Sequence, residues 1–446
     1  MANTYLTRTP SSAGNRRTFT ISTWVKRSSI ASGSKTIFGI GNSSSSTSDA
    51  DWFSLAFNGS TNRIRSVQYN TVIFDSNRLF RDTSAWYHIV YAVDTTQGTA
   101  SDRVKVYING VQETSFATVN YPSQNYDFVV NTTVPHMIGR EDGNGSGYFD
   151  GSMSYLAFVD GTAELPTIFG ETDSVTGQWK IKTDITPSVA WGTNGFLILK
   201  NGNSLTDEST NSNNFTLGGG TLTNTLDCPD NVFATFNSLA RFPVAPTYSN
   251  GNNTTTAGAG GSGSSPFSTI GASSGKYYAE LSLGSVNGGG ISCGIIDITQ
   301  FNPNFQTDAW FYYPTYGYAY MSSNGKKGNN NAEANYANSY TNGDRIGVAM
   351  DLDNNKLYFA KNGVWQNSGD PTSGATGTGA AFTIADGTYG FAVYGYQEKV
   401  WYANFGNGTF GTSAVTSAGT AGSTPGTFEY DVPSGYEPLT TKGLNA

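Results

Sequence analysis

The chain has 446 residues, room for two or three domains that each bury a core. Only 13% of them are charged, about half the ordinary share, which excludes coiled coils and long solvated helices, and 26 Tyr, 26 Phe and 8 Trp are too much packing material for a disordered chain. A net charge of −8 weighs against phosphate backbones and anionic lipid as partners, so neither nucleic-acid binding nor membrane insertion is expected.

The opening residues, Met1 to Arg8, hold no apolar stretch of signal-peptide length, and no run approaches the ~18 apolar residues of a membrane span. Synthesis in a cytoplasm is the expectation. Cys228 and Cys293 alone make neither a disulfide framework nor a four-ligand zinc set.

Taken in chain order, the strongest signal is period-two alternation interrupted by Asn-Gly and Gly-rich turns, which the 54 glycines serve. Phe19, Ile21, Thr23 and Val25 share one face of a first strand. Residues 86–94 and 103–108 predict two more, the second ending at Asn109-Gly110, a pair suited to a type I′ hairpin turn. Further strands are predicted at 134–139 and 151–160. Residues 166–232 read as an irregular bridge, in which the apolar patch Phe196 to Leu199 is able to add a strand or cover a sheet edge. Residues 249–265 are small and polar, as in a loop.

The second half repeats the same grammar. Residues 344–353 run into the turn pair Asn354-Asn355, and residues 356–360 run into Lys361-Asn362-Gly363. After Phe410 the composition turns to Gly, Ser, Thr and Ala, and Gly435 to Leu439 look like an extended tail. Two readings of Tyr436 and Leu439 stand open: packing on their own domain, or docking on a neighbouring subunit. Helix signals are scarce throughout, so the fold class is all-β, with two β-sandwiches of related architecture.

Several segments resemble known families. FTISTWVKRS (19–28), WYHIVYAVD (86–94), VKVYINGV (104–111) and YFDGSMSYLAFVDG (148–161) are similar to a laminin-G or concanavalin A-like jelly roll. SGKYYAELSL (274–283), YGYAYMSSNGKK (316–327), DRIGVAMDLDNNKLYFAKNGVWQ (344–366) and VWYANFGNGTF (400–410) resemble a SPRY domain. The expected organisation is therefore a laminin-G-like sandwich over 1–165, the bridge over 166–232, a SPRY-like sandwich over 233–410 and an extended tail over 411–446. This order is similar to structural proteins of tailed bacteriophages. It implies a non-enzymatic virion component, a head- or tail-associated knob, fibre or decoration protein, that binds other virion proteins, forms homo-oligomers and takes host-surface polysaccharide. A polysaccharide-degrading phage tail enzyme and a bacterial surface adhesin are the alternatives.

Catalytic signals are thin. The only histidines are His88 and His136, both on predicted strands. The nearest carboxylate pairs are Glu141-Asp142 in a Gly-rich loop and Asp351/Asp353 beside a hairpin, with no strand that alternates acids on one face as sandwich-fold glucanases do. Asp142, Asn144 and Ser146 stand at the first, third and fifth positions of a calcium-type loop, with Gly147 at the sixth and Asp150 at the ninth, but Met153 occupies the twelfth, where a bidentate Glu belongs. Calcium is thus the one cofactor the residues offer a set for, against a solvated Gly/Asn turn. Residues 310–320 carry seven aromatics in eleven positions. Tyr316, Tyr318 and Tyr320 share a face of any strand, whereas Trp310, Phe311, Tyr312 and Tyr313 precede Pro314 and read as a loop able to bind a ligand.

Overall fold

A computed structural model describes residues 3–30, 33–41, 52–141, 145–240, 244–259, 263–284, 291–300, 310–420 and 422–445. The chain divides into two compact units, Met1–Asn224 and Thr225–Ala446. Both are all-β: the described residues hold strands and a few one-turn 3₁₀ segments, and none of their helices is long and apolar enough to cross a membrane.

The first unit faces two antiparallel sheets. One runs in the order Phe196–Ile198, Gly151–Asp160, Thr18–Arg27, Trp86–Asp94, Val104–Ile108, Val111–Gln112. The other runs Phe116–Val119, Thr71–Ser76, Arg63–Gln68, Trp52–Asn58, Ser34–Gly41, His136–Ile138, Tyr5–Arg8, Thr216–Gly219. Thr18–Arg27 pairs with Trp86–Asp94 without a break, from Thr18 opposite Asp94 to Lys26 opposite Trp86. That register sends Phe19, Ile21 and Val25 inward, where they meet Phe38, Phe53, Tyr91, Phe128 and Phe158. The hairpin turn has Asn109 at φ +49° and Gly110 at φ +80°, the pairing that a type I′ turn demands.

The expected bridge is corrected here. Residues 166–224 belong to the first unit, and only the last few of the span open the second. Val90, Ala92, Tyr107, Ala157, Val159 and Leu197 point out of the far face of the six-stranded sheet and are buried there beneath Phe169, Ile185, Val189 and Trp191. The cause is the strands themselves, which are apolar on both sides and so need a cover on both. The patch at Phe196 to Leu199 adds the edge strand, in register with Leu156 to Phe158. A buried polar knot fastens the cover: Asp160 accepts hydrogen bonds from the Asn15 and Asn194 backbone N–H groups at 2.8 and 3.0 Å and from Asn131 Nδ2 at 2.6 Å.

The second unit is built the same way. One sheet runs Thr247–Ser249, Thr254–Thr256, Val400–Asn404, Lys276–Leu283, Arg345–Asp351, Lys356–Lys361, Val364–Trp365. The facing sheet runs Ala332–Asn335, Lys326–Asn329, Gly317–Met321, Ser292–Asp297, Tyr389–Tyr394. Leu281, Ile295, Tyr320, Val348, Phe359, Phe391 and Trp401 meet between them, with the free thiol of Cys293 in the same core.

The tail is not a free extension. Phe428, Val432 and Tyr436 bury the outer face of the sheet that holds Lys276–Leu283, at Tyr278, Ala349 and Tyr358, and Glu437–Pro438 pairs in parallel with that strand. Tyr436 and Leu439 are 0% exposed, so neither is available to a neighbouring subunit. Glu280, itself 0% exposed, holds the tail from below: its carboxylate accepts the backbone N–H groups of Glu429 and Tyr430, both at 2.9 Å.

A cover and a linker respond differently to truncation. Trp191→Ala is expected to lower the stability of the first unit by about 3–5 kcal/mol, as for a large core side chain. A change within about 0.5 kcal/mol in a urea titration, the value for an uninvolved surface site, would show that residues 166–224 hang free.

Candidate ligand-binding site

The aromatic run lies across the outer face of the five-stranded sheet of the second unit. Phe311 and Tyr312 are each 3% exposed and pack among Phe267, Ile296, Ala319, Met321, Ala392 and Tyr394. They are anchors, and the expectation that they reach a ligand is corrected: the strand beneath them turns apolar side chains outward, and they cover it. Tyr312 also ties down the neighbouring hairpin by donating its hydroxyl to Glu333 Oε1 at 3.2 Å. Trp310 keeps part of its surface in solvent, with its ring stacked on Tyr394 at 4.4 Å and 16°. Tyr313 is exposed, edge-on to Tyr312.

The three alternating tyrosines part company. Tyr318 and Tyr320 lie on one face of Gly317–Met321 and enter the inter-sheet core, while Tyr316 precedes the strand and joins the outer cluster with Trp310. The residue that sequence reading missed is Tyr396, also half-buried against that cluster, its ring 6.4 Å from Tyr394. It lies far along the chain from Trp310, and only the pairing of Ser292–Asp297 with both Gly317–Met321 and Tyr389–Tyr394 brings the two segments onto one face.

Of the calcium set, Asp142 and Asn144 lie outside the described residues. The other two have different partners. Ser146 donates its hydroxyl to Glu141 Oε2 at 3.5 Å, and Asp150 Oδ2 accepts from Ser29 Oγ at 2.8 Å. Asp150 also lies in the field of the buried Arg27 guanidinium, a poor companion for a divalent cation. Among the described residues no cluster of three or more His, Cys, Asp or Glu side chains is disposed to hold a metal.

Both histidines are structural. His88 is 0% exposed, sandwiched by Trp24 at 4.7 Å and Trp179 at 5.9 Å. Its Nδ1 accepts the Trp179 indole N–H at 3.0 Å, which places the ring proton on Nε2, facing Ser22 Oγ at 2.9 Å. Burial pushes its pKa down to about 3. His136 takes the other tautomer: Nε2 accepts the Asn131 backbone N–H at 3.0 Å, so Nδ1 donates to the Val134 carbonyl at 2.7 Å. Burial, chiefly, pushes it down to about 4. The acidic candidates are engaged too. Asp351, 0% exposed, pairs with Lys276 Nζ at 3.1 Å and accepts from the Asn354 backbone at 3.0 Å, and Asp353 accepts the Gly275 N–H at 2.7 Å.

These buried groups give the two units opposite responses to pH. A histidine kept neutral in the fold makes the unfolded chain the better proton binder below pH 6.5, so the first unit loses stability as pH falls from 6.5 toward 4. For Glu280 burial outweighs the donors around it and pushes the carboxyl up to about 7. The fold then holds a proton that the unfolded chain releases above pH 4.5, and the second unit loses stability as pH rises from 4.5 to about 7. Each group contributes a slope of about 1.4 kcal/mol per pH unit inside its window. Calorimetry between pH 4.5 and 6.5 is expected to move the two melting transitions in opposite directions, with Glu280→Gln flattening the response of the second unit. Parallel movement in the wild type would contradict the assignment.

Comparison with known proteins adds two family matches. Residues 2–168 match the model described as the concanavalin A-like lectin/glucanases superfamily, and residues 280–413 match the SPRY domain. Among solved structures, the chain is similar to the SPRY domain of human HERC1 at 18% identity, covering 38% of this chain and 96% of that one with a TM-score of 0.31. No curated protein matches the chain.

Proposed function

We propose that this chain, which carries an N-terminal concanavalin A-like domain and a C-terminal SPRY domain, is a non-enzymatic structural component of a tailed-phage virion. It sits on the head or tail as a knob, fibre or decoration protein. There it binds other virion proteins, further copies of itself and host-surface polysaccharide. The observation that carries the non-enzymatic part is the fate of the chain's only two histidines. Each is buried, neutral and hydrogen-bonded through both ring nitrogens, so no imidazole is left to act as a general base. The virion assignment draws its support from the order of the sequence segments.

Binding suits the architecture. Sheets covered on their outer faces are stiff, so loops and half-exposed aromatics such as Trp310 and Tyr313 are held in place before a partner arrives and little ordering entropy is lost on contact. Many copies on one particle turn weak contacts into avidity.

Immunogold labelling of intact tailed particles is expected to place the chain on the virion, and the purified protein is expected to coat host cells without releasing reducing ends from capsule or lipopolysaccharide. Label confined to bacterial surfaces would favour the adhesin, and sugar release would favour the enzyme; either result overturns the proposal.

A further inference from the structure

The chain crosses from one sheet of the second unit to the other through a tight turn between Tyr389–Tyr394 and Val400–Asn404. Gln397 and Glu398, at the centre of that turn, have φ of +52° and +62°, and both are exposed. Glycine and asparagine adopt this conformation readily, whereas longer side chains are strained in it. Asn109-Gly110, Asn330-Asn331 and Asn362-Gly363 use the cheap residues, and Tyr69, Tyr155, Leu199 and Ser368 take positive φ singly or beside an Asn; among the described residues Gln397-Glu398 is the consecutive pair in which both side chains are long. At 397–398 the chain accepts the strain and keeps an amide and a carboxylate.

The surroundings over-determine the turn. The Lys399 backbone N–H donates to the Tyr396 carbonyl at 3.3 Å, Ser264 and Gly395 exchange hydrogen bonds of 2.9 and 3.1 Å, and the Ala257 N–H donates to the Lys399 carbonyl at 2.9 Å. Lys399, 2% exposed, directs Nζ toward the Tyr396 ring at 5.7 Å. Next to the turn, Tyr394 is wedged between Trp310 and Gly263, where even a methyl group on the glycine would stand 2.2 Å from its hydroxyl. One face of the Trp310 indole is therefore fixed on Tyr394.

Strain held in place by rigid neighbours is a mark of functional sites. Here it coincides with a fixed aromatic platform. We infer that Trp310, Tyr396, Gln397 and Glu398 form a binding site for a neutral pyranose ring of a polysaccharide. The ring's C–H face stacks on the aromatic platform, and its hydroxyls bond to the Gln397 amide and the Glu398 carboxylate. The carboxylate, in a chain of net charge −8, disfavours uronates and sialic acids. A protein partner would need about 800 Å² from this side. Trp310 and Tyr396 are both half-buried, so the apolar surface they offer is that of two partly covered rings, which is of sugar size. This inference rests on the binding function proposed above and names the ligand for one part of it.

The test is isothermal titration of the full chain with neutral hexose oligosaccharides of gluco, manno and galacto type, with oligogalacturonate and sialyllactose as anionic controls. At least one neutral sugar is expected to bind, and neither control. Trp310→Ala is expected to weaken that binding at least tenfold. Because Trp310 also covers Tyr394, a second variant separates binding from folding: Gln397→Asn with Glu398→Gly relieves the turn, and is expected to raise the melting temperature while still lowering affinity at least tenfold. No binding across the neutral panel, unchanged affinity in the turn variant, or capture of peptides in place of sugars would overturn the inference. Adsorption to host cells distinguishes the two levels of failure. If wild type and both variants coat cells equally, the binding function stands and this site does not carry it; if the wild type itself coats neither cells nor particles, the broader function fails.

Discussion

Sheets that are apolar on both faces need a cover on both faces, and much else in this protein follows from that demand. The outer faces carry Val90, Ala92, Ala157, Val159 and Leu197 in the first unit, and Tyr278, Ala349 and Tyr358 on one sheet and Ile296, Ala319 and Ala392 on the other in the second, all of them buried. Such sheets cannot leave one side in water, as an ordinary antiparallel sandwich does. Each unit therefore recruits chain from beyond its two sheets. Phe169 to Trp191 cover the first, the C-terminal segment covers one side of the second, and Phe311 with Tyr312 cover the other. Phe169 to Trp191 and the segment from Phe428 to Tyr436 lie outside both family-matched ranges, whereas Phe311 and Tyr312 lie inside the SPRY range.

Covering has chemical consequences. Groups caught beneath a cover lose water and are held in the charge state that water loss favours. His88 lies under Trp179 as a neutral ring, and Glu280 lies under the tail with two backbone N–H groups clasping it. Those side chains are part of the fastening. At the outer face of the five-stranded sheet, Trp310, Tyr316 and Tyr396 remain partly in solvent and Tyr313 is exposed. A surface of that kind is stiff because its inner half is core, and stiffness suits recognition of a ligand with little apolar area of its own.

Alternation and turn chemistry are local, and they carried the reading of the sequence a long way. Phe19, Ile21 and Val25 on one face, the Asn109-Gly110 turn and the hairpin at Asn354-Asn355 were all legible, and with them the all-β class and the two sandwiches. The boundaries were less legible. Glycine, proline and short apolar patches in 166–224 read as a bridge because nothing local says that Trp191 faces Val90 and Val159. The tail read as extended for the same reason: its small residues hide the fact that Phe428, Val432 and Tyr436 recur as anchors for one sheet face.

For the candidate site the division is sharper. The aromatic run at 310–320 announced itself by composition, yet composition does not say which ring is turned inward: Phe311 and Tyr312 became core while Trp310 and Tyr313 kept solvent. Tyr396 and the strained pair Gln397-Glu398 carry no signal of their own, since a positive φ on a Gln or a Glu is imposed by tertiary neighbours and not by the residue. Side-chain period and turn preference are properties of a few adjacent residues, and the sequence alone determined what depends on them. Which face is covered, by what, and which aromatics are left over depend on contacts between segments distant in the chain, and only the tertiary structure decided those.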